Sequence, residues 1–403
     1  MTQPSTEHVL AAGDRNAADV CLYDPLADTP TASLYDKYRF LRERRPVYYN
    51  AVRDVWCLSR YDSVLRVARD WQTFSNAQGV DLDVPADFFG AGDFLDTDPP
   101  HHDYLRGLVR DWFTPRGMRK LEQAVDMRVT SLLDAMTTGP VDLAADFAWQ
   151  LPIWVICTIL GIPIGDLERV RSWLTDLTLR IPGDAAAPLA AIEARDALHA
   201  YLTSLVEDRM RHPKDDVLSA MARAVAQYKL AVEDVIGLAI LLFSAGGETT
   251  ASLLANGLIL LDAHRDQQAA VRAGSVDLAA AIEEVLRYEA PIQYLCRTAT
   301  DDAVVVVEGT TLPKGARVVL LYGSANRDER RYAAADTFDV SRSQLRHLAF
   351  GNGIHFCLGA NLARLEAMVA FRRFFERVRR YEVIREPELV PSANLRLVAT
   401  YRQ

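Results

Sequence analysis

Phe350-Gly351-Asn352-Gly353-Ile354-His355-Phe356-Cys357-Leu358-Gly359 is the stretch on which the reading of the whole chain turns. Its glycines at 351, 353 and 359 let the backbone take positive φ and come close to a flat partner. The apolar spacing beyond it, through Ala360, Leu362, Ala363 and Leu365, predicts a helix opened by Cys357. A thiolate at a helix N-terminus is stabilised by free N–H groups and by the helix dipole. A lone cysteine in a glycine-rich turn is more often a small buried residue, but here it stands in a ten-residue frame of specified positions. Such a sulfur suits the axial position of a haem iron, where a thiolate pushes electron density onto the metal and favours O–O cleavage.

Outward from the loop, the chain of 403 residues is half hydrophobic and carries a net charge of −9. That is enough apolar material for a large core. The acidic balance argues against a nucleic-acid partner, which calls for a basic surplus. The five cysteines, Cys21, Cys57, Cys157, Cys296 and Cys357, are scattered and show no CxxC spacing. They fit a reducing cytoplasm, without a disulfide framework or a zinc cage. The first residues are polar, so neither a signal peptide nor an N-terminal anchor is expected. The longest apolar run, Val235 to Leu261, includes Glu248, threonines and glycines and reads as a core helix rather than a membrane span.

Val47–Tyr49 and Val55–Leu58 read as a hairpin, Gly79–Pro100 as irregular, and His101 to about Arg287 as helical. Pro152, Pro163, Pro182 and Pro213 divide that helical stretch. Small strands are expected at Val304–Val307, Arg317–Leu321 and in Tyr381–Gln403, with a helix at Leu358–Val378. The fold class is mainly α with a minor β part. One domain over 1–403 is expected, with 1–26 a poorly ordered N-terminal segment.

Ala245-Gly246-Gly247-Glu248-Thr249-Thr250 breaks helix rules within the central apolar run. Each glycine costs about 1 kcal/mol against alanine, and the acid and hydroxyl add a burial cost. Violations of this kind mark functional sites; the alternative is a close helix–helix contact through small residues. A threonine hydroxyl there can bond back to a carbonyl and bend the helix. Glu284 and Arg287 lie three apart on one helix face, a spacing usually worth a few tenths of a kcal/mol at the surface. His102 and Arg106 lie four apart in a helix that follows Pro99-Pro100.

In order and spacing these segments resemble the cytochrome P450 family in its soluble bacterial form. The resemblance spans the chain from about Asp28 onward. It implies the P450 fold, with a long central helix over haem b. Cys357 would be the proximal iron ligand, with Phe350 shielding its sulfur and Gly351 and Gly359 keeping the loop close to the porphyrin. His102, Arg106, Arg297 and His355 would bind the haem propionates. Thr249 and Glu248 would be the catalytic proton-delivery pair, while Ala245 and Gly246 would leave room for O2 and substrate. Glu284, Arg287 and Arg342 would be structural. Phe88, Phe89, Phe94, Leu95, Leu242, Ile292, Tyr294 and Val398 would touch substrate.

The implied activity is insertion of one oxygen atom of O2 into an apolar small molecule. Electrons would come from a separate ferredoxin or flavodoxin with its NAD(P)H-dependent reductase. The carrier would dock on a proximal patch that includes Arg110, Arg116 and Arg346. A cytoplasmic monomer is expected, without membrane or nucleic-acid partners. The rival readings are a ring-coupling, desaturating or peroxide-using relative, and a non-catalytic recruitment protein. The intact Glu248–Thr249 pair and Cys357 argue against the peroxide-only and non-catalytic cases.

Overall fold

The computed structural model describes residues 22–27, 32–84, 86, 88, 92–136, 139–177, 188–228, 230–300, 305–343, 346–384 and 398–402. Helix α1 (Ala32–Arg44) leads into a hairpin of β1 (Val47–Asn50) and β2 (Val55–Leu58). Its turn is set by Asn50, whose Oδ1 accepts the N–H groups of Val52 and Arg53 at 2.9 and 3.0 Å. α2 (Tyr61–Arg69) and β3 (Phe74–Ser75) follow, then the irregular 79–100 stretch with a single 3-10 turn at Phe94–Asp96.

The helical body runs through α3 (His101–Val109), α4 (Pro115–Ala135), the short β4 (Gly139–Asp142), α5 (Gln150–Leu160), α6 (Leu167–Leu177), α7 (Leu189–Arg211) and α8 (Val217–Tyr228). It continues with α9 (Val232–Ala263), α10 (Arg265–Arg272) and α11 (Leu278–Tyr288). Thr114 caps α4 by accepting the Gly117 N–H at 3.2 Å, with Pro115 in the first turn, where its missing N–H costs no hydrogen bond. β5 (Tyr294–Ala299), β6 (Val305–Val307), β7 (Thr310–Leu312), β8 (Arg317–Leu321) and the one-turn α12 (Tyr322–Ala325) precede a long irregular segment. α13 (Ala360–Arg377), β9 (Arg380–Ile384) and β10 (Val398–Arg402) complete the order.

The strands form a five-stranded sheet β1-β2-β8-β5-β3, a three-stranded sheet β4-β10-β9 and the pair β6-β7. Helix and minor-β content thus match the expected class. Two expectations for the helical stretch change. Pro152 lies in the first turn of α5, where it interrupts nothing, whereas Pro163 and Pro213 do lie between helices. Pro182 lies outside the described residues. β4 falls within the stretch expected to be helical: its pairing with Val398–Tyr401 supplies hydrogen bonds that local sequence does not announce.

Residues 22–27 are packed: Tyr23 is buried, its carbonyl accepts from Asn50 Nδ2 at 2.8 Å, and Asp24 pairs with Arg53 at 3.0 Å. The first 21 residues of the expected N-terminal segment lie outside the described ones. α9 is long and apolar enough to cross a bilayer, as is the stretch Gly353–Arg377. α9 instead packs against α5, α7, α11 and α13 and is buried along most of its length.

Candidate active site

The cysteine loop sits on the C-terminal end of α2. Gly353 has φ +75°, and a Cβ there would stand 2.6 Å from the Ala68 carbonyl oxygen, so only glycine fits. Gly351 has φ +65°. Asn352 Oδ1 accepts from Arg69 Nε at 2.8 Å and from the Gly353 N–H at 2.9 Å. The Cys357 N–H donates to the Phe350 carbonyl at 2.9 Å and closes the loop.

Cys357 does not open the helix as expected. α13 begins at Ala360, because Leu358 and Gly359 form a turn ahead of it. The electrostatic benefit survives, since the Gly359 and Ala360 N–H groups still reach the sulfur. Burial raises the thiol's pKa, opposed by those N–H groups and by Arg106 and Arg364. The free thiol is therefore protonated at neutral pH, and a metal would be needed to hold it as thiolate. Cys357 is exposed as a residue although its thiol lies deep among protein atoms. Of the other cysteines, Cys57, Cys157 and Cys296 are buried and Cys21 lies outside the described residues. Burial pushes the Cys296 thiol up to about 12, as for an inert core residue.

Four basic side chains converge from separate elements: His102 and Arg106 of α3, Arg297 of β5, and His355 of the loop. The His102 and His355 rings lie 4.5 Å apart, edge to face. His102, His355 and Arg297 are buried. His102 Nδ1 meets Asp103 at 2.8 Å, but His102 Nε2 and both ring nitrogens of His355 have no partner. Burial, then the charges of Arg297, His102 and Arg106, press the His355 pKa down to about 2.

An unsatisfied buried polar atom costs about 1–3 kcal/mol, and three occur in this one cluster. A pair of carboxylates would accept from whichever of these nitrogens carries a proton and would face the Arg297 and Arg106 charges. The propionates of a haem supply that chemistry, so the residues present fit the cofactor. The sequence reading missed Tyr322, which is buried and hydrogen-bonds Arg297. A Cβ on Gly351 would come within 3.8 Å of its hydroxyl, so Tyr322 links the cation cluster to the cysteine loop.

On α9, Ala245 is exposed and Thr249 half-buried within a helix otherwise largely buried. Thr249 Oγ1 donates to the Ala245 carbonyl at 2.9 Å. Glu248 is half-buried beside it. Gly246 does not leave open space as expected. A Cβ there would meet Ile156 of α5 at 3.1 Å, and one on Gly247 would meet Leu174 of α6 at 2.7 Å. The two glycines serve helix packing, while Ala245 and Thr249 form the open face.

Glu284 and Arg287 are fully buried and joined by two hydrogen bonds of 2.7 Å. Arg287 also donates to the carbonyls of Asn326, Ala335 and Thr337 at 3.0, 2.7 and 3.1 Å. Glu284 Oε1 accepts the Asp339 N–H at 2.8 Å and Arg342 Nε at 3.4 Å. The pair thereby fixes the irregular segment that delivers the cysteine loop.

Phe94 is edge-on to His102 at 5.9 Å and lies beneath Arg106 at 5.6 Å, so it supports the cation cluster instead of offering a free face. Phe88 is buried with the Arg195 guanidinium over its ring at 5.2 Å. Leu95, Ile292 and Tyr294 are half-buried, and Leu242 is buried on α9. Phe89 lies outside the described residues. For Val398 only the backbone is described; it pairs with Asp142 and Ile384.

A surface cleft of about 450 Å³ lies beside the cysteine loop, lined by Phe350, Phe356, Arg69, Arg331, Arg346 and Arg364 among others. Arg346 lines it. Arg110 and Arg116 are exposed but do not line it.

A thiol backed by N–H donors, a cluster of basic side chains with unpartnered buried nitrogens and a threonine on the open face of α9 fit a haem-thiolate site. The Cytochrome P450 family model matches residues 278–394. The chain is 37% identical to a putative cytochrome P450 123 of Mycobacterium tuberculosis, over 87% of this chain and 88% of that protein. It is 35% identical to a vitamin D(3) 25-hydroxylase of Pseudonocardia autotrophica, over 88% of each. The crystal structure of CYP109E1 from Bacillus megaterium with testosterone superposes with a TM-score of 0.82 at 30% identity, covering 91% of this chain and 96% of that one. The chain belongs to the cytochrome P450 family and is a monooxygenase, an oxidoreductase whose family cofactor is haem-thiolate iron.

Proposed function

We propose that this P450 inserts one oxygen atom of O2 into an apolar, ring-containing small molecule of steroid-like size. Two electrons from NAD(P)H and two protons reduce the second oxygen atom to water. The observation that carries the reading is the cation cluster with three unpartnered buried nitrogens beside the Cys357 loop. Steroid-like size is supported by the relatives, one named as a vitamin D(3) hydroxylase and one solved with testosterone.

Bound haem supplies O2 binding and one-electron chemistry. The chain's own groups do the rest. Cys357 would hold the haem iron as its thiolate ligand. Arg106 and Arg297 would neutralise the propionates and His102 and His355 would hydrogen-bond them, with Tyr322 holding Arg297. Thr249 Oγ1 donates a hydrogen bond to the Ala245 carbonyl, which leaves its lone pairs free to accept a hydrogen bond on the open side of α9. Glu248, its neighbour on the helix, would be the acid that supplies protons to this face from the protein side. The arginine-lined cleft suits an acidic ferredoxin that works in the cytoplasm.

The test is turnover with a ferredoxin, its reductase, NAD(P)H and 18O2 on steroid substrates that shift the haem to high spin. One 18O atom in the product supports the reading. A product that lacks the label, or one that forms with peroxide but not with O2 and reductase, overturns it.

A further inference from the structure

Behind Phe350 lies a charged group that neither proton delivery nor propionate binding uses. Glu283 of α11 accepts from Arg364 Nε at 2.6 Å and from Arg364 Nη2 at 2.9 Å. The His347 Nε2 N–H donates to its second oxygen at 3.1 Å, because Nδ1 accepts the Ala349 N–H at 3.2 Å. The Arg364 guanidinium lies 4.5 Å over the Phe350 ring. The Arg364 charge also bears on Cys357, as does that of Arg106. Burial raises the Glu283 pKa, but hydrogen bonds from Arg364 and His347 outweigh it and hold it at about 2. The carboxylate is charged at neutral pH.

We propose that Glu283 and Arg364 are positioning residues that act as an electrostatic counterweight to Cys357. Arg364 draws negative charge on the sulfur toward the proximal side. Glu283 cancels most of that pull, and His347 locks the carboxylate in place. The pair sets how readily the site takes its first electron. The inference rests on the haem-thiolate reading above.

The signs follow from Coulomb's law. Glu283→Gln leaves the Arg364 charge uncompensated, which favours the more negative ferrous state. Arg364→Gln leaves the Glu283 charge, which favours the ferric state. At the wild-type midpoint, each substitution should move the ferrous-to-ferric ratio by about threefold, in opposite directions. The double variant should return close to wild type. The shifts should shrink in high salt, because both groups are partly solvent-exposed.

The experiment is spectroelectrochemical titration of the haem-loaded wild type, both single variants, the double variant and Arg364→Lys. Opposite single shifts, cancellation in the double and an unmoved lysine variant support the proposal. Shifts of the same sign, or a double variant displaced further than either single, mean loosened packing and overturn it. If Arg364→Gln fails to load haem, the remaining pair decides. Glu283→Gln must rise while Arg364→Lys stays, and any other pattern overturns the proposal. A ferrous–CO spectrum on the same wild-type sample separates the two claims. Without a thiolate band both fall; with that band and the wrong signs, only the counterweight falls.

Discussion

Arg287→Ala is the perturbation whose consequence is easiest to work out. Arg287 makes two hydrogen bonds to Glu284 and three to backbone carbonyls, all inside the protein. Its removal strands the fully buried Glu284 carboxylate with the Asp339 N–H and the longer Arg342 contact. Removing one partner of a buried pair costs about 3–5 kcal/mol. Typical total stability is only about 5–15 kcal/mol, so the change removes a large share of it. Arg342→Ala should cost less, about 1–2 kcal/mol, because Arg342 reaches Glu284 only at 3.4 Å. The assay is chemical unfolding of both variants, together with the Soret-to-protein absorbance ratio of purified material. Arg287→Ala should lose haem and unfold early, with Arg342→Ala intermediate. If Arg287→Ala retains haem and lies within about 1 kcal/mol of wild type, the buried pair does not anchor the loop.

Thr249→Ala should keep haem and substrate binding but divert electrons into peroxide, measured as peroxide formed per NAD(P)H; unchanged coupling contradicts the role of its hydroxyl. A second prediction concerns pH. Burial lifts Asp93 to about 7, while burial and then the charge of Asp93 lift Asp96 to about 8. Their folded pKa values lie above the unfolded ones, so the stability they confer is full below pH about 4. It should be lost as pH rises through about 7–8. Protection at Val80 and Leu95, whose N–H groups these carboxylates accept at 3.0 and 2.8 Å, should fall across that window once the intrinsic base-catalysed rise in exchange is divided out. Asp96→Asn should flatten the trend at Val80; a pH dependence that persists there contradicts the assignment.

What was legible in the sequence was local. The cysteine loop carries its own glycines, and Gly353 proves to be compelled by the Ala68 carbonyl. The hairpin at β1 and β2 announces itself by composition and by the Asn50 turn. What was not legible depends on distance along the chain or on helix rotation. Gly246 and Gly247 declare room beside α9 but not its direction, which the packing of Ile156 and Leu174 decides. Glu284–Arg287 has the same spacing as a surface pair, and only burial separates the two cases. β4 needs β10, more than 250 residues away. The Glu283 network joins residues 64 and 81 positions apart, so no motif contains it. Tyr322 is one phenol among fifteen tyrosines until Arg297 is placed beside it.

The central claim is that Cys357 ligates haem iron as a thiolate. The direct measurement is the absorption spectrum of the reduced, CO-bound protein, wild type against Cys357→His. The red-shifted Soret band of a thiolate-ligated ferrous–CO complex is expected for wild type and should be absent from the histidine variant. A folded, haem-loaded wild type without that band, or a histidine variant that keeps it, contradicts the account.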